Sequence, residues 1–285
     1  MRLLAFTIDH QPRIGALTDA GVIDLSLVDA AAPTDLGAVV KNGRLAELAA
    51  ILAASDGTVH YQLDDLDLQV PVAAPGKILC LGLNYMDHIA EGPFEKQPFP
   101  AIFMRSPTSL VAAHKPILAP RMSHTMDYEA ELAVIIGQTC KHLTPENALD
   151  AIAGYSCFND GSVREYQRHT IQWTMGKNFD QTGPFGPLLV TPDELPPAAD
   201  GLKIECRLNG QTVQSSTTDM MIFKVVETLV YITEAMTLEA GDIVVMGTPS
   251  GVGHGRKPPL WMQDGDVVEV EIEKIGLLSN PVKAI

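Results

Sequence analysis

Glu129 and Glu131 stand two residues apart in Tyr128-Glu129-Ala130-Glu131-Leu132-Ala133-Val134-Ile135-Ile136, whose apolar run reads as a strand. Strand alternation sends both side chains to one face. Carboxylates that close raise each other's pKa unless a cation compensates them, and a divalent metal is the simplest compensation. A third carboxylate, Asp160 in Phe158-Asn159-Asp160-Gly161-Ser162, follows the next predicted element, where a turn brings it back to the same end. An all-oxygen set without histidine or thiolate favours Mg2+ or Mn2+ over Zn2+ or copper, with Ca2+ also compatible. Three protein ligands leave coordination positions open for water or substrate. Glu-x-Glu alone is more often the solvated face of an edge strand, so the neighbouring motifs decide.

His88 and Glu91, in Asn84-Tyr85-Met86-Asp87-His88-Ile89-Ala90-Glu91-Gly92, are three apart and share one helical turn. A carboxylate beside a histidine fixes its tautomer and raises its basicity, as a base that deprotonates water requires. The spacing is not HExxH, so a zincin is excluded; HxxE alone is more often a surface pair. Lys177 lies in Met175-Gly176-Lys177-Asn178-Phe179-Asp180, ahead of Gly183-Pro184-Phe185-Gly186-Pro187. A lone lysine there is ordinarily solvated. Gly247-Thr248-Pro249-Ser250-Gly251-Val252-Gly253 offers backbone N–H groups to an anion, but without a GK[ST] ending it is not a P-loop.

The elements that must position these residues are β-rich. Strand-like runs cover Lys77–Leu83, Ala101–Met104, Glu129–Ile136, Leu188–Val190, Ile204–Leu208, Asp242–Met246 and Val267–Ile272, and Asn209-Gly210 marks a two-residue hairpin. Thr144-Pro145-Glu146 reads as a cap opening a helix that ends near Gly154, and a longer helix is predicted from about Met220 to Met236. Strands that outnumber helices without βα alternation point to an α+β, β-rich fold. Residues 1 to about 60 read as strands around Leu3–Ile8 and Val22–Leu27 and a helix over Leu45–Ala54. The acidic, then proline-punctuated stretch from Leu63 to Gly76 places a boundary near residue 72, giving a small N-terminal α/β unit, 1–72, and a metal-binding catalytic unit, 73–285.

The 285 residues carry a formal net charge of −15, 46% hydrophobic and 19% charged residues, with no Lys/Arg cluster. That field repels nucleic acid and anionic membranes, and an anionic substrate needs positive charge concentrated in the site. No apolar stretch approaches the ~18 residues of a membrane span, and the N-terminus does not read as a signal peptide. Cys80, Cys140, Cys157 and Cys206 form no CxxC pair and are expected to be reduced. A cytoplasmic enzyme is the expectation.

Five motifs in order resemble the fumarylacetoacetate hydrolase family from about residue 75 to the C-terminus: Gly82-Leu83-Asn84-Tyr85 with His88 and Glu91, Asp127-Tyr128-Glu129-Ala130-Glu131-Leu132, Asn159-Asp160, Gly176-Lys177-Asn178-Phe179-Asp180, and Gly247 to Gly253. The resemblance implies a mixed β-sheet roll, a homodimer, and Mg2+ or Mn2+ on Glu129, Glu131 and Asp160. It also implies a water-activating His88–Glu91 dyad on a lid-like segment, Lys177 near the reacting oxygens, and Thr248 on the substrate carboxylate, with Tyr85 as a further contact. Arg105, in Met104-Arg105-Ser106-Pro107-Thr108-Ser109, stands where many members carry lysine. It is either a bidentate clamp for an acidic second end of the substrate or a structural salt bridge.

The activity implied is hydrolysis of the C3–C4 bond of a 2,4-dioxo acid to pyruvate and a carboxylic acid, the acyl group being fumarylpyruvate-like or that of a 2,4-diketo sugar acid. His88 would generate hydroxide and Lys177 stabilise the oxyanion. The alternatives are an oxaloacetate-type decarboxylase or enol isomerase using the same metal site, and a non-catalytic Ca2+ module. Phe94, Phe99, Tyr166, Gln172 and Trp173 are candidate pocket-lining residues. Of His124, His169 and His254, His254 is the most plausible site contact.

Overall fold

The computed structural model describes residues 1–91 and 96–285. The strands are β1 (Arg2–Ile8), β2 (Gln11–Thr18), β3 (Gly21–Asp24), β4 (Asp67–Gln69), β5 (Ile78–Gly82), β6 (Ala101–Arg105), β7 (Leu110–Val111), β8 (Ile117–Ala119) and β9 (Met126–Asp127). They continue as β10 (Ala130–Ile136), β11 (Ile152–Asn159), β12 (Ser162–Val163), β13 (Gly183–Val190), β14 (Lys203–Leu208), β15 (Gln211–Thr217), β16 (Ile243–Val245), β17 (Val267–Ile272) and β18 (Gly276–Ala284). The helices are short: α1 (Leu25–Val28), α2 (Leu36–Lys41), α3 (Leu45–Ala53), α4 (Met86–Ala90), α5 (Arg164–Gln167), α6 (Thr174–Lys177) and α7 (Val225–Ala235). The fold is α+β and β-rich.

A large mixed sheet runs β3-β2-β1-β13-β11-β10-β16-β5-β6, and a second runs β15-β14-β17-β18-β8. β10 lies near the middle of the large sheet and is buried throughout. Its Leu132, Val134 and Ile136 join one apolar cluster, shared with the second sheet through Ile204, Val268 and Leu278. Ala133 and Ile135 join the other, shared with Val39, Leu48 and Ile51 of α2 and α3. Burial on both faces explains the uninterrupted apolar run. β1 pairs antiparallel with β13, Leu3 opposite Leu189, so the sheet is continuous across position 72. The hairpin at Asn209-Gly210 forms, both residues at positive φ (52° and 76°), as a primed turn requires.

The structure corrects three elements. Instead of a helix running to Gly154 there is one 3-10 turn, Ala148–Ala151, and then β11, all of whose residues are buried between β10 and β13. Pairing on both edges overrides the local cap. The strand expected over Val22–Leu27 stops at Asp24, whose carboxylate accepts the Ser26 N–H (2.9 Å) and turns the chain into α1; β2 was not foreseen. The long helix begins at Val225 because Asn84 holds Phe223 by accepting its N–H (2.8 Å) and donating to its carbonyl (3.0 Å).

Candidate active site

β10 and β11 are antiparallel with Ala130 opposite Asn159, which sets Asp160 beside Glu129. The Asp160 N–H donates to the Glu129 carbonyl (2.9 Å), and the Asn159 side-chain carbonyl accepts the Glu129 N–H (2.9 Å). On the other edge β16 pairs with β10, Val245 opposite Ala133, bringing Gly247 level with Glu131. Its N–H donates to Glu131 Oε2 (2.6 Å). Gly247 sits at φ 87°, a conformation glycine adopts without strain. One carboxylate oxygen from each of Glu129, Glu131 and Asp160 lies within 4.8 Å of the others. The strand register therefore brings together the three residues read as metal ligands.

Three buried cations meet them. Lys177, at the end of α6, donates to both Glu129 Oε2 and Asp160 Oδ2. Arg164, on α5, donates to Glu129 Oε1 (2.6 Å) and to Asp127 Oδ2 (2.8 Å). Arg105, at the end of β6, donates to Asp160 Oδ1, the Gly161 carbonyl (3.1 Å) and Thr182 Oγ1 (3.0 Å). Burial opposes ionisation of Glu129, but Arg164 and Lys177 outweigh it and hold its carboxyl far below the usual range. Glu131 goes the other way: burial and then the charges of Asp160 and Glu129 push its pKa well up. Among the described residues the Gly247 amide is its one hydrogen-bond donor. A buried carboxylate short of positive charge, facing two others in an all-oxygen set, is what a divalent cation would complete, so these residues fit Mg2+ or Mn2+.

A cavity of about 100 Å³ opens over the cluster, its wall including His88, Arg164, Gln167, Arg168, Trp173, Lys177, Thr248 and His254. His88 Nδ1 meets Glu91 Oε2 at 3.1 Å, while Glu91 Oε1 accepts the Gly251 N–H (2.7 Å) and Asp87 Oδ2 accepts the Ser250 hydroxyl (2.8 Å). These bonds fasten α4 to the glycine-rich loop. The N–H groups of that loop serve the chain's own carboxylates: Gly247 on Glu131, Gly251 on Glu91, Gly253 and His254 on Asp127 (2.8 and 2.9 Å). Trp173 packs where Gly82 has no Cβ; a Cβ there would sit 2.1 Å from the ring.

Tyr85 and Arg105 do not line the cavity. The Tyr85 ring is fully buried in the core, and the Arg105 guanidinium lies behind Asp160, which makes it a positioning group for that carboxylate. Thr248 does line it, its hydroxyl accepting from Gln214 Nε2 (2.8 Å). Of the proposed lining residues Trp173 is in the wall. Phe99 stacks on Tyr231, Tyr166 packs edge-on against Phe179, Gln172 is exposed outside the wall, and Phe94 lies outside the described residues. His254 is in the wall and His124 and His169 are not. Arg164, Gln167 and Arg168 were missed; their signal was a run of polar residues four to eight positions after Asp160. The four cysteines are free thiols.

A carboxylate triad that could hold a metal ion, beside a His–Glu pair and within a mixed β fold, is the site this chain shares with a class of enzymes acting on small molecules. The chain belongs to the fumarylacetoacetate hydrolase family: residues 77–283 match the model described as fumarylacetoacetate (FAA) hydrolase C-terminal. It is 39% identical to the mitochondrial oxaloacetate tautomerase fahd2 of Xenopus laevis, over 99% of this chain and 90% of that protein. It is 37% identical to the rat mitochondrial oxaloacetate tautomerase Fahd2a, over 99% and 91%. Among solved structures it is similar to the fumarylacetoacetate hydrolase of Exiguobacterium antarcticum, with 37% identity, a TM-score of 0.85 and full coverage of both chains. The maleylpyruvate hydrolase of Sphingobium sp. SYK-6, solved with manganese(II) and pyruvate, matches at 26% identity and TM-score 0.81, over 100% of this chain and 99% of that one. The cytoplasmic expectation does not stand, because the rat, frog and human relatives are all named mitochondrial. Composition cannot separate one aqueous compartment from another. No helix among the described residues is long and apolar enough to cross a membrane.

Proposed function

We propose that the chain is a divalent-metal-dependent tautomerase that interconverts the enol and keto forms of oxaloacetate or a closely related 2-oxo diacid. The observation that carries this reading is the cavity of about 100 Å³, in which His88 faces the Glu129–Glu131–Asp160 cluster over a space suited to a small acid. The tautomerase names of relatives aligned over 99% of the chain support it. Bound Mg2+ or Mn2+ would supply Lewis-acid stabilisation to the negative charge that develops on the 2-oxo oxygen.

The protein's own part is proton handling. Glu91, as acceptor, requires the proton of His88 on Nδ1, which leaves Nε2 free as a base. Nε2 takes a proton from C3 of the keto form, the C2–C3 bond becomes double, and return of that proton from the imidazolium to the C2 oxygen completes the enol and restores neutral His88. No atom is gained or lost. Lys177 holds Glu129 and Asp160 in position, and Arg105 does the same for Asp160 from behind.

The C3–C4 hydrolase reading has one observation in its favour: the same His88–Glu91 pair is arranged to deprotonate water. One experiment separates the two. Decay of enol absorbance is followed in oxaloacetate and in a panel of acylpyruvates, after EDTA treatment and with Mg2+ or Mn2+ restored, while pyruvate, acid and CO2 are assayed. Metal-restored acceleration of enol decay without product release is the expected result. Pyruvate with a carboxylic acid would establish the hydrolase, pyruvate with CO2 a decarboxylase, and no acceleration over the uncatalysed rate would end the tautomerase reading.

A further inference from the structure

The outer wall of the cavity carries positive charge that the proton transfer does not use. Arg164 is committed inward, to Glu129, to Asp127 and, through Nη1, to the Gln167 side-chain carbonyl (3.0 Å). One residue past Gln167, Arg168 lines the same cavity from its exposed side. Among the described residues its guanidinium has no hydrogen-bond or ion-pair partner. His254 lines the cavity as well, fixed by its backbone N–H on Asp127 (2.9 Å) and by its ring against Trp261 (5.8 Å between centroids). Burial, then Arg168, then Arg164 lower the His254 pKa against the pull of Asp127, and burial followed by Arg164 lowers that of Arg168. Both guanidiniums thus act on the imidazole, and Arg164 acts on Arg168. Asp127, already bound to Arg164 and three backbone amides, is a nearby counter-charge. In a chain of net charge −15, with Arg164 already paired to Glu129 and Asp127, Arg168 is the guanidinium of this wall left to attract an anion, and the neutral His254 imidazole beside it adds a hydrogen-bonding group.

We propose that Arg168, with His254 beside it, receives the second carboxylate of a dicarboxylic substrate whose 2-oxo-acid end faces Glu129, Glu131 and Asp160. This rests on the oxaloacetate-type reading and adds to it a specificity residue: Arg168 is what makes the site prefer diacids to monoacids. Its side chain is free to pair in bidentate fashion, which suits a carboxylate arriving from solvent. Arg105, the residue the sequence offered for that role, is occupied with Asp160.

The test is calorimetric and does not depend on turnover. Malate and 2-hydroxybutanoate differ by one carboxylate in place of a methyl group. Each is titrated into the Mn2+-loaded protein and into Arg168→Gln, an exposed position where the change leaves the core intact. The wild type is expected to prefer malate by about tenfold or more, and Arg168→Gln to lose that preference through weaker malate binding, with 2-hydroxybutanoate little affected. A preference that survives in Arg168→Gln, or none in the wild type, overturns the proposal. Absence of oxaloacetate turnover alongside an Arg168-dependent malate preference would end the tautomerase reading and leave the diacid site standing.

Discussion

Lys177 joins two of the three clustered carboxylates, and its own charge is supported by them: burial works against it, but Asp160 and Glu129 raise its pKa. Replacing it with methionine keeps the volume and leaves two buried carboxylates short of a cation. Lys177→Met is therefore expected to lose about 3–5 kcal/mol in urea unfolding of the metal-free protein. Mn2+ is expected to restore part of that, because it supplies charge to the same oxygens. A loss below about 1 kcal/mol, the range of an exposed pair, would remove Lys177 from this role. The carboxylates were legible in the sequence because strand parity fixes their common face, and His88–Glu91 because three-residue spacing is a local rule. Arg164 was not. Its partners Asp127 and Glu129 lie some 35 residues away and meet it only through the β9–β12 pairing, in which Ser162 stands opposite Asp127. Arg105 showed the converse limit: its type suggested a substrate clamp, and its depth behind Asp160 makes it a structural one.

β5 and β16 run parallel and deliver, from their C-terminal ends, the segments bearing His88 and Thr248. Their N-terminal ends are pegged together by Lys77 and Asp242. The Lys77 N–H donates to Asp242 Oδ1 (2.8 Å), its Nζ pairs with Asp242 Oδ2 (2.8 Å) and Glu239 Oε2 (2.8 Å), and the Glu239 N–H returns to Asp242 Oδ2 (2.8 Å). Burial works against the Lys77 charge, but its bonds to Asp242 and Glu239 prevail and raise its pKa. A raised folded-state pKa contributes stability that is full below the unfolded value, about 10.4 for lysine, and is lost as pH rises through the folded value. Lys77→Met should therefore lose about 1–2 kcal/mol in urea unfolding at neutral pH, and on the alkaline side the gap to wild type should close above about pH 10. A gap that stays open as pH rises well past that range would mean that the Lys77 charge is not what the substitution removes. Elements set by local chemistry, such as the Asn209-Gly210 hairpin and α3, were readable. β11 was not, because the cap at Thr144 is as good for one turn as for a helix, and only the neighbouring strands β10 and β13 decide which follows.

For the whole molecule, the charge of −15 means that any cation lowers self-repulsion, so a metal-dependent gain in stability is not by itself evidence for the triad. The two contributions separate by stoichiometry and by site. Binding to the folded state alone at 100 times the dissociation constant adds about 2.7 kcal/mol, on the order of 5 °C in Tm for a chain of this size. Diffuse screening follows ionic strength and is matched by NaCl. Mg2+ or Mn2+ is thus expected to raise Tm by about 5 °C over an NaCl control of equal ionic strength, and EDTA to reverse the rise. In Glu131→Gln the rise should vanish without a fall in the metal-free Tm, because burial and its two neighbours already oppose that side chain's charge while the Gly247 N–H still finds an oxygen. Differential scanning calorimetry of the four combinations decides it. A rise equalled by NaCl, or retained in Glu131→Gln, would assign the effect to the surface and leave Glu129, Glu131 and Asp160 as a charge network balanced by Arg105, Arg164 and Lys177 alone.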